Sequence, residues 1–129
     1  MKNYYIIIAL ATFIFTACSG IDDSCKEEKY GSAIVDFFPD SLQAGITDEV
    51  SVQYVIENSC GSFVEFEETQ IENTIDVRVK LLYDGCNCNL VFTEDSSFYS
   101  FKQDSAGYYY YRFYYADADF ESYQLIVYE

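Results

Sequence analysis

The chain has 129 residues, with 22 Asp and Glu against 7 Lys and Arg, a formal net charge of -15. Such a surface repels phosphate backbones and argues against nucleic-acid binding. The chain has no His, which excludes imidazole as base or metal ligand, and its 50% apolar content separates it from a disordered acidic tail.

The chain starts with Lys2 ahead of an apolar run at residues 6–15 that is interrupted only by Thr12. A membrane-spanning helix needs about 20 apolar residues, so this run fits the central region of a secretory signal peptide. Phe15-Thr16-Ala17-Cys18 resembles the lipobox of bacterial lipoproteins, although Phe15 stands where Leu is commoner. The resemblance implies that residues 1–17 are removed and that Cys18 is the lipid-attachment site, anchoring the protein in the cell envelope. Processing would remove one base, Lys2, and no acid, leaving 22 acids against 6 bases and deepening the charge to -16. The following Ser19-Gly20-Ile21-Asp22-Asp23 resembles the acidic export signal of surface-exposed lipoproteins in some Gram-negative bacteria. A solvated tether reads equally well. Residues 18–31 are therefore expected to be a lipidated N-terminus with a flexible stalk, and residues 32–129 one folded domain.

If Cys18 is acylated, Cys25, Cys60, Cys86 and Cys88 form an even set suited to an oxidising compartment. Pairing Cys86 with Cys88 would strain the ring between them. Two arrangements stay open: 25–86 with 60–88, or 25–88 with 60–86. Thiolate metal binding would require reduced cysteines and gains no help from His, so no metal and no cofactor are expected.

From residue 32 the side-chain pattern has period two. Residues 32–38 predict a first strand, stopped by Pro39, the only Pro. Residues 40–49 read as a loop. Val50, Val52, Tyr54 and Ile56 mark the buried face of the next strand, and residues 58–61 a turn. Residues 63–69 are strand-like but irregular. Ile75, Val77, Val79, Leu81 and Tyr83 define one face of the clearest strand, at 74–83, with Asp76, Arg78 and Lys80 on the other. A loop at 84–89 precedes short β-rich segments at 90–93 and 98–102. Residues 108–115 are almost wholly aromatic, and 116–119 read as a turn. The closing strand at 123–128 puts Tyr123, Leu125 and Val127 on one face. Seven or eight strands with regular turn signals predict an all-β fold, a single antiparallel β-sandwich.

Asp104, Ala106 and Tyr108 have the spacing of the tyrosine corner in immunoglobulin-like domains; a small-Gly-x-Tyr variant would use Tyr109 instead. The resemblance covers about seven residues and implies an Ig-like sandwich. It departs from antibody domains in lacking Trp and in carrying Tyr110 where their second Cys stands.

In the aromatic strand, Tyr109, Tyr111, Phe113 and Tyr115 fall on the expected core face. Tyr108, Tyr110, Arg112 and Tyr114 fall on the other, as a possible binding face for a protein or glycan. Simple sheet packing accounts for the same residues, because Tyr favours strands and cross-strand aromatic pairs stabilise them. Glu65, Glu67, Glu68 and Glu72, or Asp117 and Asp119, could hold Ca²⁺, and paired carboxylates could act on glycans. Neither group has the spacing of a defined site, and no Ser has a base partner, so no catalytic residue is assigned. The sequence reads as a non-enzymatic, membrane-anchored binding or structural lipoprotein of the bacterial envelope, expected in the outer membrane and, by the resemblance of Ser19–Asp23, at the surface. The alternative is a calcium-binding or carboxylate-based catalytic lipoprotein.

Overall fold

The computed structural model describes residues 25–129, so the signal-like segment, Cys18 and residues 19–24 lie outside the described residues. Nine strands run in chain order: β1 Lys26–Gly31, β2 Ile34–Val35, β3 Ser41–Gln43, β4 Thr47–Ile56, β5 Gly61–Ile71, β6 Thr74–Asp84, β7 Thr93–Lys102, β8 Gly107–Tyr114 and β9 Phe120–Tyr128. They form a six-stranded and a three-stranded sheet, the latter ordered β2-β4-β7. The all-β sandwich expected from the sequence is the observed fold, with nine strands rather than seven or eight.

β6 organises the larger sheet. Its Ile75, Val77, Val79, Leu81 and Tyr83 are all buried, as alternation dictates. One edge pairs along its whole length with β5. The other edge is shared end to end: β1 pairs antiparallel with residues 79–84, and β8 pairs parallel with residues 74–77. β9 continues the sheet antiparallel to β8, and β3 closes it parallel to β9. The sandwich is thus antiparallel apart from two pairings. An 11-residue strand is long enough for two shorter ones to lie along the same edge.

The core between the sheets is rich in aromatic rings. Phe38, just before Pro39, packs against Phe101 at 5.0 Å, Tyr111 at 5.1 Å, Tyr123 at 5.3 Å and Phe113 at 5.8 Å. Buried phenols need hydrogen-bond partners, and these have them. The Gln103 side-chain N–H donates to the Tyr111 hydroxyl at 2.8 Å, and Tyr123 donates to the Val35 carbonyl at 2.9 Å. Tyr54 lies 3.0 Å from the Ser97 hydroxyl, and Tyr99 donates to the Glu68 carboxylate.

Five local expectations change. Residues 40–49, read as a loop, contain β3 and the start of β4, because Ser41–Gln43 finds a parallel edge on β9 and Thr47 already pairs with Lys102 on β7. Residues 26–31, assigned to the flexible stalk, form β1, because their backbone completes the edge that β8 leaves open on β6. In residues 32–38 only Ile34 and Val35 are strand, since β2 has just this short stretch of β4 to pair with. Residues 90–92 are loop, and β7 starts at Thr93. Tyr115 is exposed rather than core-facing, because β8 ends at Tyr114 and the chain turns there.

Two disulfides tie one end of the sandwich together. Cys25 pairs with Cys86 and Cys60 with Cys88, at Cα separations of 5.0 and 5.5 Å, which selects one of the two arrangements left open. Gly85 sits between them at φ +155°, and a Cβ there would lie 2.6 Å from the Cys60 sulfur. Only glycine fits that approach without displacing the bridge.

Candidate functional site

β8 carries the aromatic row, and its two faces separate as alternation requires. Tyr109, Tyr111 and Phe113 are buried. The Tyr109 hydroxyl donates to the Ser105 carbonyl at 3.0 Å, closing a corner four residues upstream. The corner is therefore built on Tyr109, the small-Gly-x-Tyr variant. Tyr108, matched by the Asp-x-Ala-x-Tyr spacing, points outward with 58% of its surface exposed. Gly107 precedes Tyr109 by two residues, so the tyrosine on the inner face is the one that can reach back under the loop.

The outward row, Tyr108, Tyr110, Arg112 and Tyr114, divides into two halves. Arg112 and Tyr114 are tied into a network. The Arg112 guanidinium binds both oxygens of Asp76, directly across the parallel β6–β8 pair, with its terminal N–H at 2.7 Å. This fork geometry fits Arg and carboxylate and holds the Arg112 pKa above its ordinary value. The Tyr114 hydroxyl donates to the same carboxylate at 3.3 Å. Arg78 lies 3.9 Å over the Tyr114 ring and donates to the Asp117 carbonyl at 2.9 Å. Phe120 closes the cluster, 4.8 Å from Arg112 and 5.2 Å from Tyr114. These groups satisfy one another within the sheet.

Tyr108 and Tyr110 are different. Tyr110 is 43% exposed, and neither hydroxyl has a partner among the described residues. Tyr108 stands opposite Ile126 and Tyr110 opposite Gln124 on β9. Tyr110 also stands opposite Thr74 on β6, which in turn faces Ile71 on β5. Ile71, Ile126 and Tyr128 are all exposed, so the open tyrosines belong to a wider apolar patch. The backbone beneath is fixed. The Asn73 side chain donates to the Tyr108 carbonyl at 3.0 Å, and the Tyr110 N–H donates to the Asn73 carbonyl at 2.8 Å.

The four β8 residues are legible from alternation, whereas their partners Asp76, Arg78 and Phe120 and their surroundings Ile71, Ile126 and Tyr128 emerge only from the strand pairing. Alternation along β9 already placed 126 and 128 opposite the core-facing Leu125 and Val127. The β6 partners lacked a local signal, because the parallel β6–β8 pair joins segments 36 residues apart.

The acidic groups considered for Ca²⁺ are dispersed. Glu67 accepts from Tyr30 on the outer face at 2.6 Å, and Glu68 accepts from Tyr99 on the inner side. Glu65 lies 3.8 Å from Lys80, and Glu72 is in the β5–β6 turn with φ 53°. No group of three or more acids or cysteines with metal-holding geometry occurs among the described residues.

In comparisons with known proteins, the chain matches no family model, no curated protein and no solved structure.

Proposed function

We propose that the protein is a lipid-anchored, extracytoplasmic and non-enzymatic binding module of the bacterial envelope, and that Tyr108 and Tyr110 are the centre of its recognition face. The observation that carries the reading is the pair of open tyrosines. Their rings are exposed and their hydroxyls have no partner among the described residues, on a strand whose opposite face is fully packed. Tyr in such a setting offers a rigid ring for stacking and a hydroxyl for hydrogen bonding at little entropic cost. Glycans and protein surfaces present the matching chemistry. The lipobox-like Phe15-Thr16-Ala17-Cys18 supports the anchor, and two disulfides suit an oxidising compartment. The absence of His from the chain favours binding over general acid–base chemistry.

The test compares the intact protein with a Tyr108→Ser, Tyr110→Ser double variant for binding to isolated envelope polysaccharide and envelope protein. Loss of about tenfold or more in affinity is expected, the scale of a central aromatic contact. Equal binding by both proteins overturns the assignment of the face. Mass spectrometry of Cys18 tests the anchor separately.

A further inference from the structure

A second apolar feature lies at the other end of the molecule. Leu90, Val91 and Phe92 are consecutive, outside any strand, and exposed by 78%, 50% and 67%. Three adjacent large hydrocarbon side chains left in water are unusual unless something covers them. They have no hydroxyl or amide in their side chains, unlike the tyrosine face.

Their placement is fixed from both sides. Immediately before them, the Ser59 N–H donates to the Asn89 carbonyl at 3.0 Å, and the Asn89 N–H donates to the Ser59 hydroxyl at 3.0 Å. Immediately after them, Thr93 pairs with Ile56 as β7 begins. Cys60–Cys88 clamps the preceding loop to the start of β5, and Cys25–Cys86 clamps it to the start of the described chain. The Gly85 N–H also donates to the Cys25 carbonyl at 3.0 Å. The apolar tip and Cys25 are therefore fastened to one end of the sandwich. Cys18 lies seven residues before Cys25, a span of at most about 25 Å.

We propose that Leu90, Val91 and Phe92 form a second membrane contact, dipping into the lipid interface and holding the domain upright on the bilayer that anchors Cys18. The proposal rests on the lipid-anchor reading for the nearness of the bilayer. The charges at this end fit shallow contact. Lys26 pairs with Asp84 at 3.5 Å, and Lys29 lies 3.4 Å from Glu27 and 4.0 Å from Glu57, so part of the acidic excess is matched there. Glu94 and Asp95 follow two and three residues after Phe92 and limit the depth of insertion. Acyl chains on Cys18 would hold the chain at the bilayer through a flexible segment without setting the domain's orientation, and a second apolar contact supplies that. With the tip down, the Ile71–Thr74 turn and the open tyrosines lie at the far end of β6, roughly 30 Å away.

The chain has no Trp, so one indole makes a clean depth probe. Leu90→Trp and, as a far-end control, Ile71→Trp are each made in the full mature chain. Each is reconstituted in phosphatidylcholine vesicles with or without bromine on the acyl chains. Both sites are exposed, and intact disulfides by mass confirm folding. Quenching of L90W fluorescence by about twofold or more, with I71W unaffected, is the expected result. If the chain floats with the vesicles and neither probe is quenched, the tip proposal fails while the anchor stands. Equal quenching of both probes also overturns it, because the domain then has no fixed orientation. A spectral shift of L90W with protein concentration in the absence of lipid would show a second copy covering the tip, and overturns it too. If mass spectrometry finds no acyl group on Cys18, the anchor reading fails. The same vesicles in excess then decide the tip alone: quenching of L90W supports a lipid contact, and none overturns it.

Discussion

Among the exposed apolar residues of the described sandwich, two groups are held differently. Tyr108 and Tyr110 project from a strand whose other face is buried, so their positions are set by the core. Leu90, Val91 and Phe92 project from a loop, and their positions are set by cross-links and a turn of hydrogen bonds. The chemistry differs in the same direction. Tyrosine pairs a stackable ring with a polar tip and suits a partner that itself carries polar groups. Leu, Val and Phe offer hydrocarbon alone, which suits an acyl boundary. An exposed apolar residue says little until both its support and its polar atoms are known.

The largest test breaks the tip from its support. Cys60→Ser with Cys88→Ser opens a bridge spanning a sequence separation of 28, and is expected to cost about 3–4 kcal/mol in urea denaturation. Hydrogen exchange should rise around residues 85–92 and stay low in β8. Equal loosening of both regions would mean that the two patches are not independently supported.

Alkaline pH acts on the other support. Burial pushes the phenols of Tyr99 and Tyr111 above their ordinary pKa, and that of Tyr123 up to about 12. A raised folded-state pKa favours the protonated phenol, so the stability it contributes is fully present below pH 10. It is lost as pH rises from 10 through the folded-state values. Tyr99 and Tyr111 each contribute a loss of up to about 1.4 kcal/mol per pH unit in that window. Urea midpoints should be flat from pH 7 to 9 and fall above 10; a flat profile to pH 11 would contradict the buried assignment.

Asp76→Ala removes the acceptor shared by Arg112 and Tyr114 on the closed half of the outward row. The half-buried guanidinium then lacks its partner, at an expected cost of about 2 kcal/mol by urea denaturation. Binding through Tyr108 and Tyr110 should survive, since their backbone is held by Asn73 instead. Tyr109→Phe deletes only the corner hydrogen bond and should cost about 1 kcal/mol by the same measurement.

Much of this architecture was legible from alternation alone. Strand β6 and the two faces of β8 follow from period two, because burial on one side of a pleat forces every second residue inward. The corner was legible only as two options, since spacing does not say which of Tyr108 and Tyr109 faces inward until β8 is placed against the core. The disulfide choice had the same character: spacing removed one pairing, and geometry removed another. What was not legible came from long-range pairing. Residues 26–31 look like a charged tether, with Lys26-Glu27-Glu28-Lys29 and no apolar period. They become a strand because β6 offers them an edge, and their charges then pair with Asp84 and Lys80 across it. The tip was misread in the opposite sense. Leu90-Val91-Phe92-Thr93 has strong β propensity, yet only Thr93 finds a partner strand. Propensity describes what a segment would suit, and pairing decides what it gets.

That misreading supplies the smallest and sharpest test. If Leu90 and Phe92 contribute nothing to the fold, Leu90→Ser with Phe92→Ser should leave the urea midpoint within about 0.5 kcal/mol of the parent, as for other surface positions without partners. Tyr108→Ser with Tyr110→Ser should cost more, on the order of 1 kcal/mol, because the tyrosines also serve the sheet through Ile126, Gln124 and Thr74. The difference between the two double variants measures how far each patch exists for the protein's own stability. A tip variant as costly as the tyrosine variant would show that Leu90 and Phe92 are structural, and would remove the premise that they are kept exposed for a membrane. A tip variant with an unchanged midpoint but weaker contact with lipid would separate the two roles in one pair of measurements.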